Sequence, residues 1–189
     1  MKKNNEILKN HNSLLGPSFT LKNRILRIIW SLVYFFLFKF SPRPFHFWRV
    51  LILKSFGAKI GKSCRIHRKV RIWAPWNLVI GNYVTIADNV NLLSMDKITI
   101  KNFVNISDGT QLCCGTHNYK SKKFELYTKP ILIEKYVWIC TESFIHPGIK
   151  ISEGIVIGAR SVVNKNLKKK YTVCSGNPCK VVKKYIFKK

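Results

Sequence analysis

The run Ile133-Glu134-Lys135-Tyr136-Val137-Trp138-Ile139-Cys140-Thr141-Glu142-Ser143-Phe144-Ile145-His146-Pro147-Gly148-Ile149-Lys150-Ile151-Ser152-Glu153-Gly154-Ile155-Val156-Ile157 decides the fold. Every sixth residue, from Ile133 through Ile139, Ile145, Ile151 and Ile157, is isoleucine, and Val163 keeps the beat. A period of six fits neither a helix face at 3.6 nor a strand at 2. It fits a chain that bends after each short strand and points one aliphatic side chain inward per bend, which is a parallel β-helix.

Working outward, the same beat runs through Ile60, Ile66 and Ile72, then Ile80, Ile86 and Leu92, then Ile100, Ile106 and Leu112. It divides into turns of 18 residues at 60–77, 80–97, 100–117, 133–150 and 151–168, about five in all. Four residues after each aliphatic stands a small or β-branched side chain (Cys64, Val84, Val104, Thr110, Val137, Ser143, Ser161), which suits a narrow interior. Glycine follows the aliphatic at Gly61, Gly81 and Gly158, where a tight bend is expected to need positive φ. One long insertion, residues 118–132, interrupts the beat directly after His117. Solenoid insertions gather as loops on one face, often the binding face.

Residues 1–19 are polar and expected to be flexible. Residues 20–57 read as two apolar, basic helices split at Ser41-Pro42-Arg43-Pro44, with Gly57 as a C-terminal cap. The β-helix domain is expected over 58–170, and residues 171–189 form a basic C-terminal cap. There Asn177 and Pro178 suit the start of a short capping helix over the open end. The apolar run of the first helix is too short for a bilayer span, which needs roughly 20 residues. Trp30, Tyr34, Phe35, Phe36, Phe38 and Trp48 flanked by Arg24, Arg27, Lys39, Arg43 and Arg49 instead suit peripheral membrane contact by residues 20–56, or packing on the prism or a neighbouring subunit.

The chain carries 34 Lys+Arg against 8 Asp+Glu, a balance that favours polyanions. No nucleic-acid motif accompanies it, and the aromatics cluster with the apolar helix rather than among the lysines, so no nucleic-acid partner is expected. Six cysteines without a C-x-x-C pair read as reduced thiols, and no secretory signal is visible, so the expected location is cytoplasmic.

His117, at the mouth of the only long insertion, is the best candidate for chemistry: imidazole can take a proton from a hydroxyl near neutral pH. His146 reads as a corner residue, while His11, His46 and His67 have no supporting pattern.

The stretches Cys114-Gly115-Thr116-His117, Val137-Trp138-Ile139, Pro147-Gly148-Ile149, Ile157-Gly158-Ala159-Arg160-Ser161-Val162-Val163 and Gly176-Asn177-Pro178 resemble the hexapeptide-repeat acyltransferases. Trp48-Arg49, Phe56-Gly57-Ala58-Lys59-Ile60-Gly61 and Ile72-Trp73-Ala74-Pro75-Trp76-Asn77 extend the resemblance to the colanic-acid-type O-acetyltransferases of exopolysaccharide clusters, over about residues 20–185. The resemblance implies a left-handed β-helix, where general chain chirality would favour a right-handed crossover. It further implies a homotrimer with sites between subunits, and acetyl-CoA as acyl donor with no metal.

Carried over by position, the resemblance makes His117 the general base and puts Trp138 in the active-site groove. Thr141 and Ala159 would line the pantetheine arm, Asn164 and Lys165 would lie along the cofactor, and Pro178, Lys180 and Lys183 would meet its adenine and 3′-phosphate. Ala87 and Ser94 occupy acceptor-binding positions; these differ from the Asn and Asp of the maltose and galactoside enzymes, which argues against a free small sugar bound in the same way. Asn118 stands where the colanic-type proteins have Asp, leaving the group that orients His117 undecided.

The implied function is O-acetylation of a sugar hydroxyl of an exopolysaccharide, capsule or lipopolysaccharide precursor, on the inner face of the cytoplasmic membrane. The alternatives are a non-catalytic scaffold at the membrane and an acetyltransferase for a small non-glycan acceptor. A zinc enzyme of the γ-carbonic-anhydrase type would need several converging histidines; resemblance to that family would imply a second histidine five residues after the one at 117, and that position is Lys122.

Overall fold

A computed structural model describes residues 7–8 and 11–186. From Lys59 onward the chain winds as a left-handed parallel β-helix with three faces. The first face stacks Lys59–Ile60, Leu78–Ile80, Ile98–Ile100, Ile131–Ile133 and Lys150–Ile151. The second stacks Arg65–Ile66, Thr85–Ile86, Asn105–Ile106, Trp138–Ile139, Val156–Ile157 and Thr172–Ser175. The third stacks Arg71–Ile72, Asn91–Leu93, Gln111–Cys113, Phe144–Ile145 and Val162–Val163. Five turns are complete, and a sixth begins with the bridge from Leu167 to Ile151 and the strand Thr172–Ser175.

The register repeats the sequence beat. Ile66, Ile86, Ile106, Ile139 and Ile157 pair in line down the second face, and every one is fully buried. The small residues four positions on, such as Val84, Val104, Val137 and Ser143, are buried beside them.

The corner glycines act differently from the expectation. Gly61, Gly81 and Gly158 have no positive φ; the left-handed residues at the first corner are Ser63, Tyr83, Phe103, Tyr136, Gly154 and Tyr171. What these glycines supply is close approach, since a Cβ on Gly61 would sit 2.7 Å from the Gly81 carbonyl, and one on Gly81 would sit 2.8 Å from the Asn102 nitrogen. A left-handed non-glycine costs about 1 kcal/mol. Part of that is offset by stacking of Tyr83 on Phe103 and of Phe103 on Tyr136, each at 5.1 Å.

Two helices close the N-terminal end: α1 (Leu21–Val33), continued by a π-helical turn over Tyr34–Lys39, and α2 (His46–Ser55). The first β-turn has no preceding turn to bond, so its edge carbonyls need other donors. Trp30 donates its indole N–H to Ile72 O at 2.7 Å, and the fully buried Arg49 donates Nε to Ile66 O at 2.6 Å. Arg49 also bonds Ser41 Oγ, Pro42 O and Arg43 O, so its buried guanidinium is held by oxygen acceptors. Burial lowers the Arg49 pKa, and the Asp88 charge opposes that. Among the described residues no helix is long and apolar enough to cross a membrane.

One further expectation needs correction. The C-terminal cap is a hairpin: Lys180–Lys184 pairs antiparallel with Thr172–Ser175 through a turn at Gly176 (φ +101°) and a cis Asn177–Pro178 bond. The β-branched Val181 and Val182 suit a strand, and the added strand covers the sheet edge a helix was expected to cover. Part of the expected flexible N-terminus, residues 1–6, 9 and 10, lies outside the described residues, but residues 11–19 run a defined path against the body. Ser13 N–H bonds Lys123 O at 3.0 Å, and the Phe19 ring lies 4.7 Å from that of Trp73.

Candidate active site

The insertion after His117 is a short hairpin. Gly115–His117 pairs antiparallel with Leu126–Thr128, His117 opposite Leu126. Gly115 leaves room there for the Met95 side chain, whose Sδ would meet a Cβ and would have to shift. Beyond His117 the tip is closed by Asn118 N–H to Glu125 O and Phe124 N–H to Ser121 O.

At the tip Phe124 takes a left-handed conformation (φ +47°) and turns its carbonyl to His117 Nδ1, 2.8 Å away. A carbonyl can only accept, so Nδ1 carries a proton, and in the neutral tautomer this bond selects, Nε2 has the lone pair. The Phe124 ring also stacks on the imidazole, with centroids 4.3 Å apart and planes 10° from parallel. The group orienting His117 is therefore a main-chain oxygen, which no side-chain pattern could signal. Asn118 instead accepts from Lys120 N–H at 3.3 Å within the turn.

The neighbouring thiol is not a competing nucleophile. Burial pushes the Cys114 pKa up to about 12, so it stays protonated near neutrality. All six cysteines are free. Among the described residues no group of three His, Cys, Asp or Glu side chains is arranged to hold a metal.

The remaining candidates fall at definite places. Trp138 is exposed on the outer side of the second face and donates its indole N–H to Ser107 Oγ at 3.0 Å. Thr141 and Ala159 are exposed at the corner between second and third faces in successive turns, where Arg160 N–H bonds Thr141 O. Asn164 and Lys165 are exposed at the other edge of the third face, the corner from which the His117 hairpin also leaves two turns earlier. Pro178, Lys180 and Lys183 are exposed on the C-terminal hairpin. One chain thus puts His117, Asn164 and Lys165 along one corner and Thr141 and Ala159 along the other, with Trp138 on the adjoining face.

Ser94 does not belong with them. It is fully buried, its hydroxyl donating to Ala74 O at 2.9 Å and accepting from Ala74 N–H at 3.0 Å. Both hydrogen-bonding directions serve the main chain, so the Ser94 side chain faces the interior and not the acceptor it was expected to meet. Ala87, the other acceptor position, is half-buried.

No protein-family model matches the chain. Comparison with individual proteins finds the putative colanic acid biosynthesis acetyltransferase WcaF of Escherichia coli (strain K12), 39% identical over 164 residues, which cover 87% of this chain and 90% of that protein. The fold matches a maltose O-acetyltransferase from Clostridium difficile 630 with a TM-score of 0.81 at 27% identity, over 89% of this chain and 90% of that one. A galactoside acetyltransferase solved in complex with coenzyme A matches with a TM-score of 0.81 at 24% identity, over 91% of this chain and 90% of that one. By the extent and level of its identity to the colanic acid biosynthesis relative, the chain belongs to the hexapeptide-repeat acetyltransferases.

Proposed function

We propose that the protein moves an acetyl group from acetyl-CoA to a sugar hydroxyl of an exopolysaccharide, capsule or lipopolysaccharide precursor, with His117 as general base. The observation that carries this reading is the hydrogen bond from His117 Nδ1–H to Phe124 O, which leaves Nε2 as the proton acceptor. The colanic acid biosynthesis relative supports the glycan acceptor, and the coenzyme A complex of the galactoside enzyme supports the donor.

Acetyl-CoA supplies an activated acyl group. His117 Nε2 takes the proton of the acceptor hydroxyl as its oxygen bonds to the acyl carbon. The resulting imidazolium returns that proton to the sulfur as the carbon–sulfur bond breaks, so the base is regenerated within one turnover. Nδ1–H stays on Phe124 O throughout and fixes the ring plane. Trp138 forms a wall of the groove, Thr141 and Ala159 line the pantetheine arm, Asn164 and Lys165 lie along the cofactor, and Pro178, Lys180 and Lys183 hold its adenine and 3′-phosphate.

The active unit in this reading is a homotrimer. Site residues divided between two corners and a face of one prism favour a groove completed by a neighbouring copy. The helical layer is the part that meets the inner face of the cytoplasmic membrane. Phe36, Phe40 and Phe47 are each more than 60% exposed there, and no Asp or Glu occurs between Glu6 and Asp88.

The test is mass spectrometry of surface polysaccharide from cells with and without an active copy. Loss of one acetyl mass per repeat unit supports the reading; an unchanged polysaccharide contradicts it.

A further inference from the structure

The segment before α1 reads as a tail in sequence, yet it grips the hairpin that orients His117. Ser13 makes the grip from both sides of Phe124: its N–H donates to Lys123 O at 3.0 Å, and its Oγ accepts from Leu126 N–H at 3.0 Å. The two residues are 113 positions apart in sequence. The Ser13 hydroxyl is 3.0 Å from that of Ser18, which ties the segment back on itself. The next residue, Phe19, packs on Trp73, over which the Arg27 guanidinium lies at 4.3 Å. Thr20 then caps α1 by accepting Asn23 N–H.

A two-stranded hairpin alone is marginally stable in water. The tip that presents the Phe124 carbonyl is a lysine-rich, exposed turn with a left-handed phenylalanine, held internally only by short-range turn bonds such as Phe124 N–H to Ser121 O. Ser13 supplies the missing restraint, because its two main-chain bonds bracket Phe124.

We propose that Ser13 is a positioning residue for His117, acting through the Phe124 carbonyl, and that residues 13–19 form a strap holding the hairpin in its working geometry. The proposal rests on His117 being the base. It acts on kcat rather than on donor binding, since the hydrogen bonds of Ser13 among the described residues go to the hairpin and to Ser18.

The test uses the full chain with Ser13→Ala, which loses the Oγ acceptor, and Ser13→Thr, which keeps it. Turnover is measured with acetyl-CoA and alkali-deacetylated surface polysaccharide from the source organism, and the His117 ring nitrogens are followed by NMR with 15N-histidine. Ser13→Ala is expected to lower kcat by about tenfold to a hundredfold, to leave KM for acetyl-CoA within about twofold, and to replace the fixed Nδ1–H signature by that of exchanging tautomers. Ser13→Thr is expected to restore both. An unchanged ring signature in Ser13→Ala, or a loss of kcat that Ser13→Thr does not restore, would overturn the strap. Retained turnover in His117→Ala would overturn the base assignment instead, and the NMR readout tells the two failures apart.

Discussion

His117 and Phe124 meet twice, once through a 2.8 Å hydrogen bond from the imidazole to the main-chain carbonyl and once through rings stacked 4.3 Å apart. The two contacts are separable, because the carbonyl survives any side-chain substitution. Phe124→Ala is expected to lose only the stacking, about 0.5–1.5 kcal/mol. Steady-state kinetics should then show kcat reduced by roughly two- to twelvefold, not abolished.

Trp138 stands exposed on the second face with its indole held by Ser107. If it walls the groove, Trp138→Ala removes contact with bound substrate and little else. Its KM should rise by about tenfold, equivalent to about 1.4 kcal/mol, with the melting temperature almost unchanged. A fall in melting temperature without a KM effect would make it a packing residue.

The C-terminal edge has its own charge network. The Tyr171 hydroxyl donates to Glu153 Oε1 at 2.6 Å, and Lys170 and Lys135 each approach Glu153 at 3.3 Å. These partners, Tyr171 first, hold the Glu153 pKa below the usual carboxylate value. A lowered carboxylate pKa stabilises the fold above the unfolded pKa, and that stabilisation is lost as pH falls through the folded value. The same bond raises the Tyr171 pKa. That contribution is present below the tyrosine's unfolded pKa and is lost as pH rises through its folded value. Tyr171→Phe should therefore melt below wild type at pH 7, and the gap should close towards acid and towards strong alkali.

The helical layer yields a surface prediction. Deleting residues 1–40 would remove the buried Trp30 and Phe38 and unpack the cap. A cleaner probe replaces the exposed Phe36, Phe40 and Phe47 with serine. Each fully buried aromatic is worth about 1.5–3 kcal/mol, so sedimentation with anionic vesicles should fall by well over tenfold. Unchanged sedimentation would assign this face to protein packing.

What the sequence makes legible follows from which atoms carry the signal. The inward positions Ile66, Ile86, Ile106, Ile139 and Ile157 are specified by side-chain type, so a six-residue beat reveals them and with them the prism. The interruption after His117 is likewise readable as a loop. The Phe124 carbonyl is not, because every residue has one and only the loop's path aims it. Tyr83, Phe103 and Tyr136 hide the left-handed corner because glycine is the expected residue there, and stacking between turns substitutes for glycine's freedom. Asn177 and Pro178 carry the same residue types as a helix start, but the β-branched Val181 and Val182 after a glycine turn favour a strand. Ser94 was legible only as a position: its bonds to Ala74 come from the neighbouring turn.

The central claim is that His117 Nε2 takes the proton of the acceptor hydroxyl. It is tested most directly by release of coenzyme A from acetyl-CoA, with the deacetylated polysaccharide as acceptor, in His117→Ala. His117 is half-exposed and outside the core, so circular dichroism and melting temperature should match wild type. The account predicts a loss of turnover of about a hundredfold to ten-thousandfold with KM for acetyl-CoA little changed. Turnover within twofold of wild type in a folded His117→Ala protein would contradict it.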